Sequence, residues 1–251
     1  MLVYWNKIGY ISTYVSKTII LMIMNTVELF ENERASGYDE FVETWIPNYH
    51  YFLDQLPKIL SEIEHKDLLV VGCGTGNEIE RFVDTSESWK ITGVDPSPEM
   101  IGQAREKFEA DENVNLVEGL VSDLDEGKQY GAATLLLVLH FLKDDGEKLG
   151  MLQDICKRMM SQAPLVLLDI TGNKEQIQQN LGLLRLLLPK GIDETQVAQR
   201  LQRIEHELLH VSEERLAELC EEAGFEPPVR FFQSSIYMGW ITRKKNIISF
   251  S

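Results

Sequence analysis

The stretch Leu68-Leu69-Val70-Val71-Gly72-Cys73-Gly74-Thr75-Gly76-Asn77-Glu78 decides how this chain is read. Four apolar residues stop at a glycine-punctuated turn, and Ile79, Phe82 and Val83 continue at helical spacing. A buried strand feeding a helix through glycines lets backbone N–H groups approach a ligand, because glycine has no Cβ to hold the ligand off. A dinucleotide-binding loop would read G-x-G-x-x-G. Counted from Gly72, its third glycine would fall where Asn77 stands, and the pattern here is G-x-G-x-G. The loop predicts a nucleoside ligand with no pyrophosphate to cradle.

Around this loop, apolar runs alternate with amphipathic stretches. Strands are expected at 68–71, 90–94 (ending in Asp95), 113–117, 132–139 and 164–169, with helices at 77–84, 98–109 and 145–160. Near-continuous apolar strands separated by helices imply a doubly wound, mostly parallel α/β sheet covered on both faces. Ligands of such sheets sit outside the carboxyl ends of the strands. The alternation pauses over 173–211, where apolar residues three or four apart predict two helices divided at Pro189-Lys190-Gly191. This helical insertion, 174–210, is expected to form a substrate cap or a homodimer interface. Ser212 is expected to cap a helix ended by Gly224. Two closing antiparallel strands then flank Ser234-Ser235.

At 251 residues, 44% hydrophobic and 25% charged, the chain fits one soluble α/β domain with additions. Its net charge of −16 counts against a large polyanionic partner, since nucleic-acid binding rests on neutralising phosphates with Lys and Arg. The one dense basic run, Arg243-Lys244-Lys245, reads as a solvated strand end. Cys73, Cys156 and Cys220 are scattered without metal-ligand spacing, which suggests a reducing, cytoplasmic compartment and no metal site. The uninterrupted apolar run 19–24 is far short of the about 20 residues that cross a bilayer, so residues 1–25 read as an extension without a membrane role. A domain over 26–243 and a tail over 244–251 complete the expected organisation.

From 26 to 60 the pattern is helical and rich in aromatics, broken after Ile46 by Pro47. These aromatics read as core or, because they precede the first strand, as a cover over the site. Asp95 follows Gly76 by nineteen positions, where a carboxylate can accept hydrogen bonds from both hydroxyls of a ribose. The plainer reading makes it a helix N-cap, with Pro96 in the first helical position.

Taken together, Val71-Gly72-Cys73-Gly74-Thr75-Gly76, Gly93-Val94-Asp95-Pro96-Ser97-Pro98-Glu99-Met100, Glu118-Gly119-Leu120-Val121-Ser122-Asp123-Leu124 and Leu137-Val138-Leu139-His140-Phe141-Leu142 resemble the class I S-adenosylmethionine-dependent methyltransferases. The resemblance covers about residues 35 to 243 and implies a seven-stranded Rossmann-like sheet whose last strand is antiparallel. Within that family Ile46-Pro47-Asn48-Tyr49, Leu139-His140-Phe141-Leu142 and Arg230-Phe231-Phe232-Gln233 are similar to the carboxy-S-adenosylmethionine-dependent tRNA uridine carboxymethyltransferases. The likeness implies that Tyr49 reaches over the cofactor. It places Gly72, Cys73 and Gly74 along the cofactor's amino-acid end, with Thr75 and Gly76 also in the cofactor site. Asp95 and Pro96 would hold the ribose and flank the adenine, and Met100, Leu120, Val121, Leu136 and Leu137 would complete the cofactor site.

Three positions depart from the pattern. Leu136 stands where that subfamily has an asparagine. Leu201 stands where it has an arginine for the extra carboxylate, although Arg200 and Arg203 are neighbours. Losing the charged partner of a buried carboxylate costs about 3–5 kcal/mol, which favours ordinary S-adenosylmethionine and a small-molecule acceptor over the carboxylated cofactor and tRNA. Val70 replaces the acidic residue usual two places before Gly72, so the cofactor's α-amino group must find backbone carbonyls or another side chain.

Methyl transfer needs mainly in-line positioning, and His140 is the candidate general base where an acceptor must lose a proton. The plainer reading of His140 is a histidine hydrogen-bonded to backbone beneath the cap. Tyr38, Trp45 and Tyr49 are candidates for an aromatic wall beside the sulfonium. His206 and His210, four apart, have no evident third metal ligand and read as solvent-facing or interface residues. A protein that holds the cofactor without turnover is the reading outside the enzyme class.

Overall fold

The computed structural model describes residues 37–85 and 87–246. The expected extension over 1–25 and the end of the C-terminal tail lie outside these. Seven strands, β1 (Asp67–Val71), β2 (Lys90–Asp95), β3 (Val114–Glu118), β4 (Ala132–Leu136), β5 (Pro164–Ile170), β6 (Val229–Ser234) and β7 (Tyr237–Arg243), form one sheet of order β3-β2-β1-β4-β5-β7-β6. The first five strands pair in parallel, while β7 runs antiparallel to both β5 and β6. The chain reverses its winding where β1 lies beside β4, which opens a crevice at their carboxyl ends.

Alternation along each strand divides the core. Leu68, Val70, Ala132, Leu136, Val166 and Leu168 face one layer of helices, whereas Leu69, Val71, Ala133, Leu135, Leu165 and Leu167 face the other. The first layer holds α1 (Tyr38–Trp45), α2 (Tyr49–Ile59), α3 (Asn77–Val83) and α4 (Pro98–Lys107), together with the inserted pair α6 (Lys174–Leu187) and α7 (Glu194–His206). Helices α5 (Glu147–Lys157) and α8 (Glu213–Ala223) cover the second face. The α8 boundaries follow their capping chemistry. Ser212 Oγ accepts from the Arg215 N–H at 3.2 Å, and Gly224 closes the helix at φ 101°.

The expected strand over 132–139 stops three residues early. Leu137 adopts φ 61°, a left-handed conformation that ends the ladder, and a 3-10 turn over Leu139–Phe141 follows. The apolar run continues because it lines a cavity, not because it stays in the sheet. The insertion is stitched back at its exit, where the Leu209 N–H donates to the His140 carbonyl at 2.8 Å and Thr171 bridges to Val211. No helix among the described residues is long and apolar enough to cross a membrane.

Candidate functional site at the strand ends

The glycine loop folds back on the neighbouring strand. The Gly72 and Cys73 N–H groups both donate to the Val94 carbonyl, at 2.8 and 3.1 Å. Gly72, Gly74 and Gly76 all have positive φ (67°, 52° and 85°). A side chain at Gly72 would overlap Val138, and one at Gly76 would overlap Phe108. Gly74 differs, since the nearest atom to a Cβ there would be Tyr38 Cε1 at 3.8 Å, and its open side borders a cavity.

That cavity, of about 370 Å³, occupies the crevice. Gly72 and Gly74 line it from the loop, Asp95, Pro96 and Met100 from the β2 end and α4, Leu120 and Val121 from the end of β3, and Leu136 and Leu137 from the end of β4. Tyr49, Cys73 and Thr75 line a separate small recess of about 10 Å³, which shares Tyr38, Gly72, Leu136 and Leu137 with the main cavity. Gly76 lines neither and serves the close packing of Phe108.

Asp95 binds the loop to β2. Its Oδ2 accepts from the Gly74 N–H and its Oδ1 from the Ser97 N–H, both at 2.9 Å. Burial raises its pKa from the ordinary value against the lowering effect of these two donors. The N-cap reading is corrected: Ser97 caps α4, its Oγ accepting from the Met100 N–H at 3.3 Å, and Pro98, not Pro96, takes the first helical position.

Helix α1 lies across the mouth. Tyr38, Phe41 and Val42 line the cavity with Ile46. Asp39 Oδ1 accepts from Thr75 Oγ1 at 2.6 Å and from Asn77 Nδ2 at 2.7 Å, clasping this helix to the glycine loop. The aromatic segment is thus both core and cover. Of the expected aromatic wall, Tyr38 borders both spaces, Tyr49 only the recess and Trp45 neither.

Against α1, the insertion contributes Arg200 and Arg203 from α7, which line the cavity with Tyr237 from β7. The Arg200 guanidinium stacks over Phe41 at 4.6 Å, and its buried Nε has no hydrogen-bond partner. Leu201 packs against the core instead. Arg200 and Arg203, on either side of Leu201, both line the cavity.

His140 also lines the cavity and is 5% exposed. Its partner is not backbone but a buried carboxylate, with Nδ1 2.8 Å from Asp169 Oδ1. Asp169 Oδ1 also accepts from the Ile170 N–H, and Oδ2 from the Leu139 N–H, each at 2.8 Å. A carboxylate acceptor at Nδ1 makes that nitrogen the donor and leaves Nε2 as the basic atom of the neutral ring. Lys148, fully buried, donates to the carbonyls of Leu139, Leu142 and Leu209, and burial lowers its pKa.

Helix α7 ends at His206, so His210 is not its helical neighbour; His210 Nδ1 lies 3.2 Å from the Gly172 carbonyl. Cys156 and Cys220 are buried within the second core layer, where burial raises both thiols, Cys220 to about 12. Arg230 pairs with the Glu213 carboxylate on the edge strand, and its neighbours Phe231 and Phe232 pack on Phe52, away from the cavity.

Three site residues escaped the reading of the sequence: Glu78, Asp169 and Lys148. Glu78 in a first helical turn reads as a dipole-compensating acid. Asp169 reads as a strand end, and Lys148 as part of a solvated helix face. Only the fold reveals that each is buried.

A family model described as a methyltransferase domain matches residues 69–161, from β1 through α5. A carboxy-S-adenosyl-L-methionine synthase from Yersinia pseudotuberculosis is 24% identical over 225 residues, covering 85% of this chain and 92% of the relative. A malonyl-[acyl-carrier protein] O-methyltransferase from Acetivibrio thermocellus is 29% identical over 102 residues, covering 41% of this chain and 34% of the relative. The plantazolicin methyltransferase, solved with a triazolic desmethylPZN analog and S-adenosylhomocysteine, superposes with a TM-score of 0.63 at 11% identity, covering 86% of this chain and 92% of that one. The chain spans only 54–56% of the length of other methyltransferase structures that it matches. The glycine loop and the carboxylate at the end of β2 both lie within the matched span. Residues 69–161 match a methyltransferase domain, and the chain has the fold of the S-adenosylmethionine-dependent methyltransferases.

Proposed function

We propose that this enzyme transfers the methyl group of S-adenosylmethionine to a small acceptor bearing a carboxylate. The carrying observation is that Arg200 and Arg203 line the same cavity as Gly72, Gly74 and Asp95. The half-buried Arg200 stacks on Phe41 and bonds Tyr237 but leaves its Nε without an acceptor, which a ligand can supply, and a carboxylate matches the planar fork of arginine. The malonyl-carrier methyltransferase among the relatives acts, by its name, on a substrate of this chemical type.

The cofactor supplies a methyl group already activated on sulfonium. The chain's own part is to bind, orient and exclude water. Asp95 receives the ribose hydroxyls, and Leu120 and Val121 flank the adenine with Pro96 and Met100. The Gly72–Gly74 backbone abuts the amino-acid end, while α1 closes over the reacting centre. For acceptors that must lose a proton, His140 Nε2 takes it, held by Asp169 in the tautomer that can.

A second reading has the carboxylated form of the cofactor as ligand or product. The flanking arginines and the Yersinia synthase support it. Transfer to tRNA is disfavoured by the charge of −16, and the basic run is occupied. Arg243, Lys244 and Lys245 donate to the carbonyls of Gln162, Met159 and Glu221. Leu183, Leu186 and Leu187 are exposed on α6, which supports a homodimer through 174–210, to be checked by sedimentation velocity.

The test is mass spectrometry of the enzyme incubated with S-adenosylmethionine and a pool of small carboxylic acids. The expected result is S-adenosylhomocysteine with an acceptor heavier by one methylene, as its methyl ester where the carboxylate itself is the nucleophile. Appearance of carboxy-S-adenosylmethionine instead would establish the second reading.

A further inference from the structure

Val70 leaves the β1 strand without the carboxylate expected two places before the loop, and it is fully buried. Its neighbour in the register is Thr134 of β4, and both face the helix layer that contains α3. Glu78, in the first turn of α3, reaches down to that spot, where its Oε1 accepts from the Thr134 hydroxyl. Glu78 is 6% exposed, and no Lys, Arg or His among the described residues forms an ion pair with it.

The carboxylate lines the small recess that also borders Gly72, Cys73, Leu136 and Leu137. At about 10 Å³ the recess takes one water-sized group, which is the size of an ammonium. It shares Tyr38, Gly72, Leu136 and Leu137 with the main cavity, next to the loop to which the amino-acid end of the cofactor is assigned. An ionised carboxylate with one hydroxyl donor and no cation is costly here, so the group keeps its proton until a ligand brings the missing charge.

We propose that Glu78 is the counter-ion of the cofactor's α-ammonium group, supplying from α3 the carboxylate that Val70 withholds from β1. The inference rests on the assignment of S-adenosylmethionine to the cavity. In the free protein, burial pushes the Glu78 pKa up to about 8, against the lowering effect of the Thr134 hydroxyl. Around it stand Tyr38 and Asp39 from α1, Tyr49 from α2, Cys73 from the loop and Asp95 from β2, and the cation beside them, Lys107 of α4, is engaged by Asn77 Oδ1 and Asp39, not by Glu78. Near pH 7 the free carboxyl holds a proton. Pairing with an ammonium ionises it, and the proton passes to the buffer.

Calorimetry with S-adenosylhomocysteine, S-adenosylmethionine and 5′-methylthioadenosine, which lacks the amino-acid end, tests this. The expected result is that Glu78→Gln weakens the first two ligands at least 10-fold and leaves methylthioadenosine within about 2-fold. Wild type should release about one proton per S-adenosylhomocysteine at pH 7, read from the buffer dependence of the enthalpy, and the variant should not. Restoring a carboxylate in Val70→Asp/Glu78→Gln should recover part of the lost affinity. Unchanged affinity of Glu78→Gln for S-adenosylhomocysteine overturns the proposal, as does a parallel loss for methylthioadenosine, which would mark a structural role. A wild-type chain that binds none of the three overturns the cofactor assignment, and this proposal with it.

Discussion

Gly74 is where the backbone of the loop meets the cavity. A valine there faces two penalties of different kind. Its φ of 52° costs a β-branched residue about 1–3 kcal/mol, a loss that a domain of this size withstands. The methyl groups would also enter the space assigned to the amino-acid end of the cofactor. Gly74→Val should therefore keep its circular dichroism spectrum and a cooperative melt while losing S-adenosylhomocysteine binding by more than about 100-fold. Retained affinity would make the loop a tight turn and nothing more. His140 gives a second test at this scale. Because Asp169 fixes its tautomer without reaching the acceptor, Asp169→Asn should lower kcat about 100-fold with little change in KM for an acceptor that must be deprotonated. A carboxylate acceptor, already ionised, should show no such loss. The contrast between two acceptors separates positioning from mere structural support.

At the scale of elements, the cover helix α1 is held chiefly by its own packing and by Asp39, whose single oxygen takes donors from both Thr75 and Asn77. Asp39→Ala leaves a 2%-exposed Thr75 hydroxyl without that acceptor and frees the helix N-terminus from the loop. Cofactor dissociation, followed by stopped flow, should accelerate about 10-fold, with the melting temperature little changed. An unchanged off-rate would show that α1 is rigid core and not cover. This clasp also marks what was legible in the sequence. Apolar runs bounded by glycine and Asp95 located the loop and the parallel strands, because strand period and turn chemistry are local properties, whereas the wall residues Leu120, Val121, Leu136 and Leu137 followed from the family resemblance. The contacts of Asp39, Glu78 and Asp169 join residues 29 to 56 positions apart. No local pattern encodes them. The end of β4 was misread for a related reason: Leu137 and Val138 are apolar whether they pair in a sheet or line a pocket, and only the left-handed φ of Leu137 separates the two.

For the whole molecule, the consequence of a buried, unpaired Glu78 is a stability that depends on pH. In the unfolded chain this carboxyl loses its proton near its ordinary value of 4.5, whereas in the free folded protein it holds the proton up to about 8. Between these values the folded state binds more protons than the unfolded state, so its stability falls as pH rises. The contribution is fully present below about 4.5, declines by about 1.4 kcal/mol per pH unit across the window and is exhausted above 8. Other groups titrate over the same range, so the diagnostic quantity is the difference between wild type and Glu78→Gln, which carries no titrating carboxyl at that site. Denaturant unfolding of the ligand-free proteins should find the variant gaining on wild type steadily from pH 5 to pH 8. Saturating S-adenosylhomocysteine should reverse the order at pH 8, because the bound ammonium favours the ionised carboxylate that the variant lacks. Parallel pH profiles for the two free proteins would mean that Glu78 titrates as an ordinary surface acid. In that event α3 would be capped by a spectator carboxylate, and the acidic function vacated by Val70 would have to lie in the backbone carbonyls of the loop.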